Sequence, residues 1–369
     1  MEAQNKTALY DEHVKLGAKL IDFGGWMMPI RYGSAIEEHH FVRKACGLFD
    51  VSHMGELRIK GEQAEAFVQY LTTNDVTKLR DGCGQYSGLL DDQGGFIDDL
   101  IVYRLQKDDF FLCVNASNTR KDADWVKKQS AAFKVQVDDE SSQWSQIAIQ
   151  GPQSRECLMT LLKDAERATL ADLPYTQIRK IPLFGQQALI ARTGYTGELG
   201  YEVYLNHSSA IELWLKLLQL GTSRVAPIGL GARDSLRLEA GYLLYGNDMD
   251  ENVTPLEVGI SWAVKLDKGD FIGRDRLVKM KEAGVPRHLV AFKMTEPGIA
   301  RSHMDLFQAD KKVGIVTSAA FLPTLDLAGG MALVDKSSGQ VGDKIEIDIR
   351  GKRKLAEVVK KPLYSPKVK

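Results

Sequence analysis

The chain has 369 residues, 44% of them hydrophobic and 26% charged, with a formal net charge of -1. That length exceeds one ordinary core and implies two or three domains, while the balanced charge excludes the basic footprint of a nucleic-acid binder or of a protein held on an anionic membrane. No apolar run approaches the roughly 20 residues of a membrane helix. The opening Met1-Glu2-Ala3-Gln4-Asn5-Lys6 lacks a secretory core, and the early acids Glu2, Asp11 and Glu12 argue against a transit peptide. Cys46, Cys83, Cys113 and Cys157 form no C-x-x-C clamp, so a reducing compartment and a cytoplasmic protein are expected.

Taken in chain order, residues 34–46 read as a helix with Ile36, His40, Phe41 and Val42 on a partly buried face. Leu57 to Lys60 alternates like a strand and stops at Gly61. Glu62 to Leu71 returns to helical spacing through Ala64, Phe67, Val68 and Leu71. Gln85 to Leu90, the polar turn Asp91-Asp92-Gln93-Gly94-Gly95, and Phe96 to Arg104 form a predicted hairpin. Phe110 to Asn115 is a third strand, Thr119 to Gln129 a helix and Phe133 to Val137 a fourth strand. This mixture over residues 51–140 predicts a compact α+β unit. Beyond Trp144 come a strand at Ile147–Gln150, a break at Gly151-Pro152, a helix from Ser154, a buried strand at Ala188–Ala191 and an amphipathic helix over 208–220. From Pro286 the pattern turns to short strands near His288–Met294, Lys312–Thr317, Gly330–Val334 and Lys344–Ile349, a small all-β domain behind a linker at 281–286. Lys352-Arg353-Lys354 reads as a charged turn, and Lys360, Lys361, Lys367 and Lys369 as a solvated tail.

Three segments carry candidate chemistry. In the second hairpin strand, alternation puts Asp99, Ile101 and Tyr103 on one side and Asp98, Leu100 and Val102 on the other. Adjacent acids in an apolar strand are costly to bury unless paired or used. Both being structural is the plain alternative. Asp99 is the better functional candidate, because an aromatic beside a carboxylate suits a flat, nitrogen-rich ligand, and Tyr86 on the partner strand adds a second wall. The stretch Arg192-Thr193-Gly194-Tyr195-Thr196-Gly197-Glu198-Leu199-Gly200-Tyr201-Glu202 packs glycines, tyrosines and acids together. A carboxylate there suits two parallel N–H bonds from an amino-pyrimidine edge; a plain Gly-rich hairpin is the alternative. Pro227 to Gly241 opens like a dinucleotide fingerprint, but it has no convincing preceding strand and Asp234 stands where the third glycine belongs. It reads as a helix entered through glycines, with Arg233 in the first turn, a position that suggests either an anionic ligand or a structural ion pair. His39, His40 and His53 lack a ligand set for a metal and read as structural.

Taken together, these motifs resemble the glycine cleavage T-protein family. The resemblance is carried by Phe49-Asp50-Val51-Ser52-His53-Met54-Gly55, Asn74-Asp75-Val76, Tyr86-Ser87-Gly88, Gly94 to Tyr103, Thr193 to Glu202, Gly229 to Gly241, Tyr245 to Glu251 and Asp270-Phe271-Ile272-Gly273. It runs in order from near Leu16 to Pro362. It implies an α+β, three-domain cloverleaf with a ferredoxin-like unit and a C-terminal all-β barrel domain around a central folate channel. The implied boundaries are 1–50 plus 141–280 for a discontinuous folate-binding domain, 51–140 for the ferredoxin-like unit and 286–369 for the barrel. It implies an aminomethyltransferase that takes the aminomethyl group from the lipoyl arm of the H-protein. Tetrahydrofolate is the implied co-substrate, the P- and L-proteins are functional partners, and no metal, nucleic acid or membrane is involved.

By motif, Asp99 corresponds to the family's essential aspartate, Glu202 to the group on the pterin edge, and Met54, Tyr86, Tyr103, Asn115, Tyr195, Arg233 and Tyr242 to the folate lining. One segment departs from the family pattern T-S-G-x-x-S-P-T-L-G, with Ala319, Leu322 and Asp326 at its changed positions. The rival readings are another folate enzyme of the superfamily, such as a demethylase or an amine dehydrogenase's folate domain, and a folate-binding protein of iron–sulfur maintenance. The absence of an N-terminal flavin domain argues against the amine dehydrogenase's folate domain. The second carries a K-G-C-Y-x-G-Q-E segment not found here.

Overall fold

Alternation around Leu57 resolves as the strand Gly55–Lys60, which pairs antiparallel with Asp109–Val114 on one side and Gln136–Asp139 on the other. The computed structural model describes residues 5–368; Met1 to Gln4, read above for a leader, and Lys369 of the basic tail lie outside the described residues. The hairpin of Cys83–Leu90 and Phe96–Gln106 completes a five-stranded antiparallel sheet in the spatial order Cys83–Leu90, Phe96–Gln106, Asp109–Val114, Gly55–Lys60, Gln136–Asp139. Without its first strand this is the 2-3-1-4 order of a ferredoxin-like unit, with Ala64–Leu71 and Thr119–Gln129 as the two crossover helices. Their apolar faces, Phe67, Val68, Leu71, Ala123 and Val126, pack on Leu57, Ile59, Leu100, Val102, Leu112 and Val114.

A second sheet orders Ile178–Leu183, Gln186–Ala191, Gly200–Leu205, Ser145–Gln150, Cys46–Asp50 and Val225–Pro227. Its strands Cys46–Asp50 and Ser145–Gln150 are buried along their whole length, which is why they show little alternation. The short strand Val225–Pro227 pairs parallel with Cys46–Leu48 and leads into the helix Leu230–Glu239. A closed six-stranded barrel follows, built from Arg287–Met294, Asp305–Gln308, Lys311–Leu322, Leu327–Asp335, Lys344–Ile349 and Lys352–Val359. Among the described residues, no helix is long and apolar enough to cross a membrane.

The three sheets are joined by shared cores. Tyr103, Phe111 and Cys113 of the first sheet pack with Ile178, Leu189 and Tyr204 of the second. Leu90 and Phe96 at the hairpin end pack with Leu238, Met249 and Phe271 and with Leu322 and Met331 of the barrel. Buried polar clamps add direction to these contacts. Arg237, 1% exposed, bonds Asp248 at 2.8 Å and the barrel's Ser318 at 2.9 Å. His39 bonds Ser235 and the barrel's Thr324, each at 2.8 Å.

Several local expectations shift. The helix Ala35–Lys44 turns Glu38, His39 and Val42 inward, while Ile36 is 47% exposed. The acid Glu38 is buried because it caps the N–H groups of Tyr32, Gly33 and Gly229. The fourth strand of the ferredoxin-like unit begins at Gln136, after a 3-10 turn at Ser130–Ala132; Phe133 and Val135 pack on the helices instead of pairing. Lys352-Arg353-Lys354 opens a strand and is no turn. The tail is docked through Tyr364, whose N–H donates to the Glu239 carbonyl and whose Oη donates to Glu198 at 2.6 Å, while Lys360 and Lys367 stay exposed. At the departing segment, Asp326 sits at φ +49°, in the left-handed region where glycine is at ease.

Candidate functional site

Where the sheets meet, a cavity of about 610 Å³ opens, a size suited to one small organic ligand. Its carboxylate comes from the hairpin. Asp99 lies opposite Gly88 and diagonal to Tyr86, which lies opposite Ile101. Glycine at 88 puts no side chain across from the acid. Tyr86 leans along the strand and donates its hydroxyl to Asp99 Oδ2 at 2.9 Å. The Asn115 side chain donates to Asp99 Oδ1 at 2.8 Å and to Asp98 Oδ1 at 2.9 Å. The hairpin is held in place at its turn: Asp91 Oδ1 accepts from Gln93 and Gly95, and a Cβ on Gly95 would lie 1.9 Å from the Glu251 carbonyl oxygen.

Burial and the neighbouring Asp98 charge push the Asp99 carboxyl up to about 7, against the pull of the Tyr86 and Asn115 hydrogen bonds. Asp99 is therefore poised to take or release a proton near neutrality.

On another wall, Glu202 accepts from Thr193 Oγ1 at 2.6 Å and from Gln146 Nε2 at 3.1 Å. Burial raises its carboxyl above the ordinary value, and Thr193 and the Arg233 guanidinium oppose that rise. Arg233 lies over the Tyr195 ring at 4.6 Å, and among the described residues its guanidinium makes no ion pair. Tyr195 stacks on Tyr242 with centroids 5.8 Å apart and donates its hydroxyl to the Leu243 carbonyl. Burial and Arg233 push the nearby His53 down to about 4, so its ring is neutral.

Eight of the nine residues expected at the site line this one cavity: Met54, Tyr86, Asp99, Asn115, Tyr195, Glu202, Arg233 and Tyr242. Tyr103 does not. It is fully buried, and its ring fills the space that Gly84 leaves empty, where a Cβ would come within 2.5 Å. Its hydroxyl shares a hydrogen bond with Thr193, so it backs the wall that holds Glu202. Tyr175, Trp262 and Lys361 also line the cavity and were not singled out from sequence. Trp262 is 59% exposed and sits 5.7 Å from Tyr86 at the cavity edge. These three come from a loop, the single 3-10 turn Ser261–Ala263 and the tail, where no periodicity marks a face. Among the described residues, no group of three or more His, Cys, Asp or Glu side chains is arranged to hold a metal.

Comparison with known proteins decides the family. Residues 9–268 match the model of the GCVT N-terminal domain, and residues 287–365 that of the glycine cleavage T-protein C-terminal barrel domain. This chain belongs to the glycine cleavage T-protein family. It is 45% identical over 365 residues to the aminomethyltransferase of Desulfitobacterium hafniense, covering 99% of each chain. It is 46% identical to that of Pseudothermotoga lettingae, again over 99% of each. The solved structure of glycine cleavage system aminomethyltransferase T from Bartonella henselae superposes with a TM-score of 0.92 at 34% identity, covering 99% of both chains. By class the chain is an aminomethyltransferase, with the family's mixed α+β fold and C-terminal barrel.

Proposed function

We propose that this T-protein family member moves the methylene carbon of an aminomethyl group, carried on the lipoyl arm of the H-protein, to tetrahydrofolate. The observation that carries the reading is one cavity holding two half-buried carboxylates, Asp99 and Glu202, between aromatic walls. In this reading Glu202 accepts the paired N–H groups of the pterin edge, and Tyr195 and Arg233 flank the ring system. Asp99 faces the folate amines that react.

The products are 5,10-methylenetetrahydrofolate, ammonia and dihydrolipoyl H-protein. Two carbon–nitrogen bonds form, to the two folate amines. The carbon–sulfur bond and the original carbon–nitrogen bond break. The two protons shed by the folate amines end on sulfur and on ammonia. Holding amine and methylene together can lower the barrier by about 7–11 kcal/mol. A carboxylate beside the amines orients them and stabilises positive charge as it develops. With a carboxyl value near 7, Asp99 is ionised in a large fraction of molecules at neutral pH and is able to accept a proton there. The domain boundaries we assign are 1–50 with 141–280, 51–140 and 286–369. The four free thiols fit the cytoplasm as its location.

The test is ammonia release from aminomethylated H-protein with and without tetrahydrofolate. The reading requires release that accelerates strongly with folate. Slow, folate-insensitive release would remove it.

A further inference from the structure

Behind Asp99 lies a polar side chain that the reaction scheme above leaves unused. Asp122 stands in the first turn of the helix Thr119–Gln129 and is fully buried, on the same face as Ala123 and Val126. Neither of its carboxyl oxygens meets a donor among the described residues. The side-chain charge that bears most on it is that of another acid, Asp98. Neighbouring carboxyl groups bond one another only when one of them carries a proton.

The donors around the pair decide which one does. Asp98 Oδ2 accepts from the Asn115 backbone N–H at 2.9 Å. Its Oδ1 accepts from the Asn115 side chain at 2.9 Å and the Asn118 side chain at 2.7 Å. Three N–H groups converge on Asp98 and none on Asp122, so the charge lies on Asp98 and the proton on Asp122.

We propose that Asp122 is a positioning residue: its proton, donated to Asp98, locks Asp98, Asn115 and Asp99 into one hydrogen-bonded row behind the folate site. This rests on the role assigned above to Asp99. Asn115 is the pivot, because its amide nitrogen serves both Asp98 and Asp99. An Asp98 short of a donor competes harder for that nitrogen and turns it away from Asp99. The other groups around the row do not supply the missing proton. Lys121, on Asp122's own helix, directs its ammonium to the Tyr245 hydroxyl at 2.8 Å. Tyr86, on the neighbouring strand, gives its proton to Asp99, and Tyr195, across the cavity, gives its own to Leu243. Burial first, and then the Asp98 charge, push the Asp122 carboxyl up to about 10, in keeping with this assignment.

Two variants and one spectrum test it. Asp122→Leu removes the donor; losing a hydrogen bond to a charged group lowers kcat about 10- to 100-fold, with KM for tetrahydrofolate near the wild-type value. Asp122→Asn keeps a neutral N–H donor and rescues turnover to within about threefold of wild type. Equal losses in the two variants would show that the proton itself is dispensable or that the charge matters, and would overturn the proposal. Infrared difference spectra of wild type minus Asp122→Asn at about pH 8.5, where an ordinary aspartate is ionised, carry a protonated-carboxyl stretch that persists in an Asp99→Asn background. Its absence overturns the proposal whatever the turnover. Its presence in an enzyme that does not transfer the aminomethyl group sinks the assigned function and leaves the shared proton standing.

Discussion

Asp99→Asn separates the chemistry of the site from its stability. The substitution keeps shape. The Asn115 side chain, 2.8 Å from Oδ1, needs an acceptor, so the new amide oxygen faces Asn115 and the new amide nitrogen faces Tyr86, whose hydroxyl turns to accept. What is lost is the negative charge and a group able to take a proton. Proton transfer of this kind is worth about 10²–10⁴-fold, or about 3–5 kcal/mol of barrier, and kcat falls by that factor. Wild-type activity also falls as pH drops below about 7, because burial and Asp98 hold the carboxyl there and its charged form is the active one. In Asp99→Asn that acidic limb is gone.

Stability moves the other way. An acid raised in the folded state binds its proton more tightly there than in the unfolded chain. Its ionisation therefore erodes stability as pH rises from about the ordinary 3.8 to about 7. That shift caps the cost at about 4 kcal/mol, and the partial exposure of Asp99 lowers it further. An amide that meets its partners imperfectly recovers about 1–2 kcal/mol of it. The assays are folate-dependent ammonia release across pH and urea unfolding at pH values on both sides of neutrality. Turnover within about tenfold of wild type, or an acidic limb surviving in the variant, would refute the role given to Asp99.

Glu202→Gln keeps the Thr193 and Gln146 contacts within reach but removes the charge facing the ligand; calorimetric titration with tetrahydrofolate should show affinity weaker by about 10- to 100-fold, with thermal unfolding little changed. Arg237→Met strands the buried Asp248 carboxylate, which Arg237 meets at 2.8 Å. Denaturation curves should record a loss of about 3–5 kcal/mol, and wild-type stability would show that the clamp is not needed. Asp326→Gly relieves the left-handed backbone at φ +49° and should raise stability by about 0.5–1 kcal/mol without altering turnover; a lower melting temperature would mean that the aspartate side chain holds the turn.

Much of the frame is legible in the sequence because it depends on local periodicity. The hairpin around Asp91–Gly95, the helix over Ala64–Leu71 and the helix His207–Leu218 each show their buried face at the spacing their backbone imposes. Cys46–Asp50 is different. It is buried on both faces, so it has no alternation to read, and its tie to Val225–Pro227 spans nearly half of the chain. Polar burial is the least legible feature. His39 reads as a structural histidine, but nothing near it in sequence points to Thr324, 285 residues away, which closes on its ring. Asp122 likewise sits in a helix whose composition reads as solvated. Tyr103 shows where alternation alone misleads. It shares a face with Asp99, yet Gly84 beside it leaves room for the ring to lie flat in the core and serve Glu202 through Thr193.

The pair Asp98-Asp99 joins these levels. Strand alternation sends one acid to the cavity and the other towards the helix Thr119–Gln129, so neighbours in sequence face different environments. Side by side, two such carboxylates would both resist ionising. Here the second has three N–H donors of its own, which anchor its charge and free that charge to act on the first. Asp98 is thus the fixed charge that, with burial, lifts Asp99 towards neutrality. Asp98→Asn removes that charge while retaining a neutral neighbour. The acidic limb of the wild-type profile should then move to lower pH while Asp99 still supports turnover. A limb that stays near 7 would mean burial alone sets Asp99.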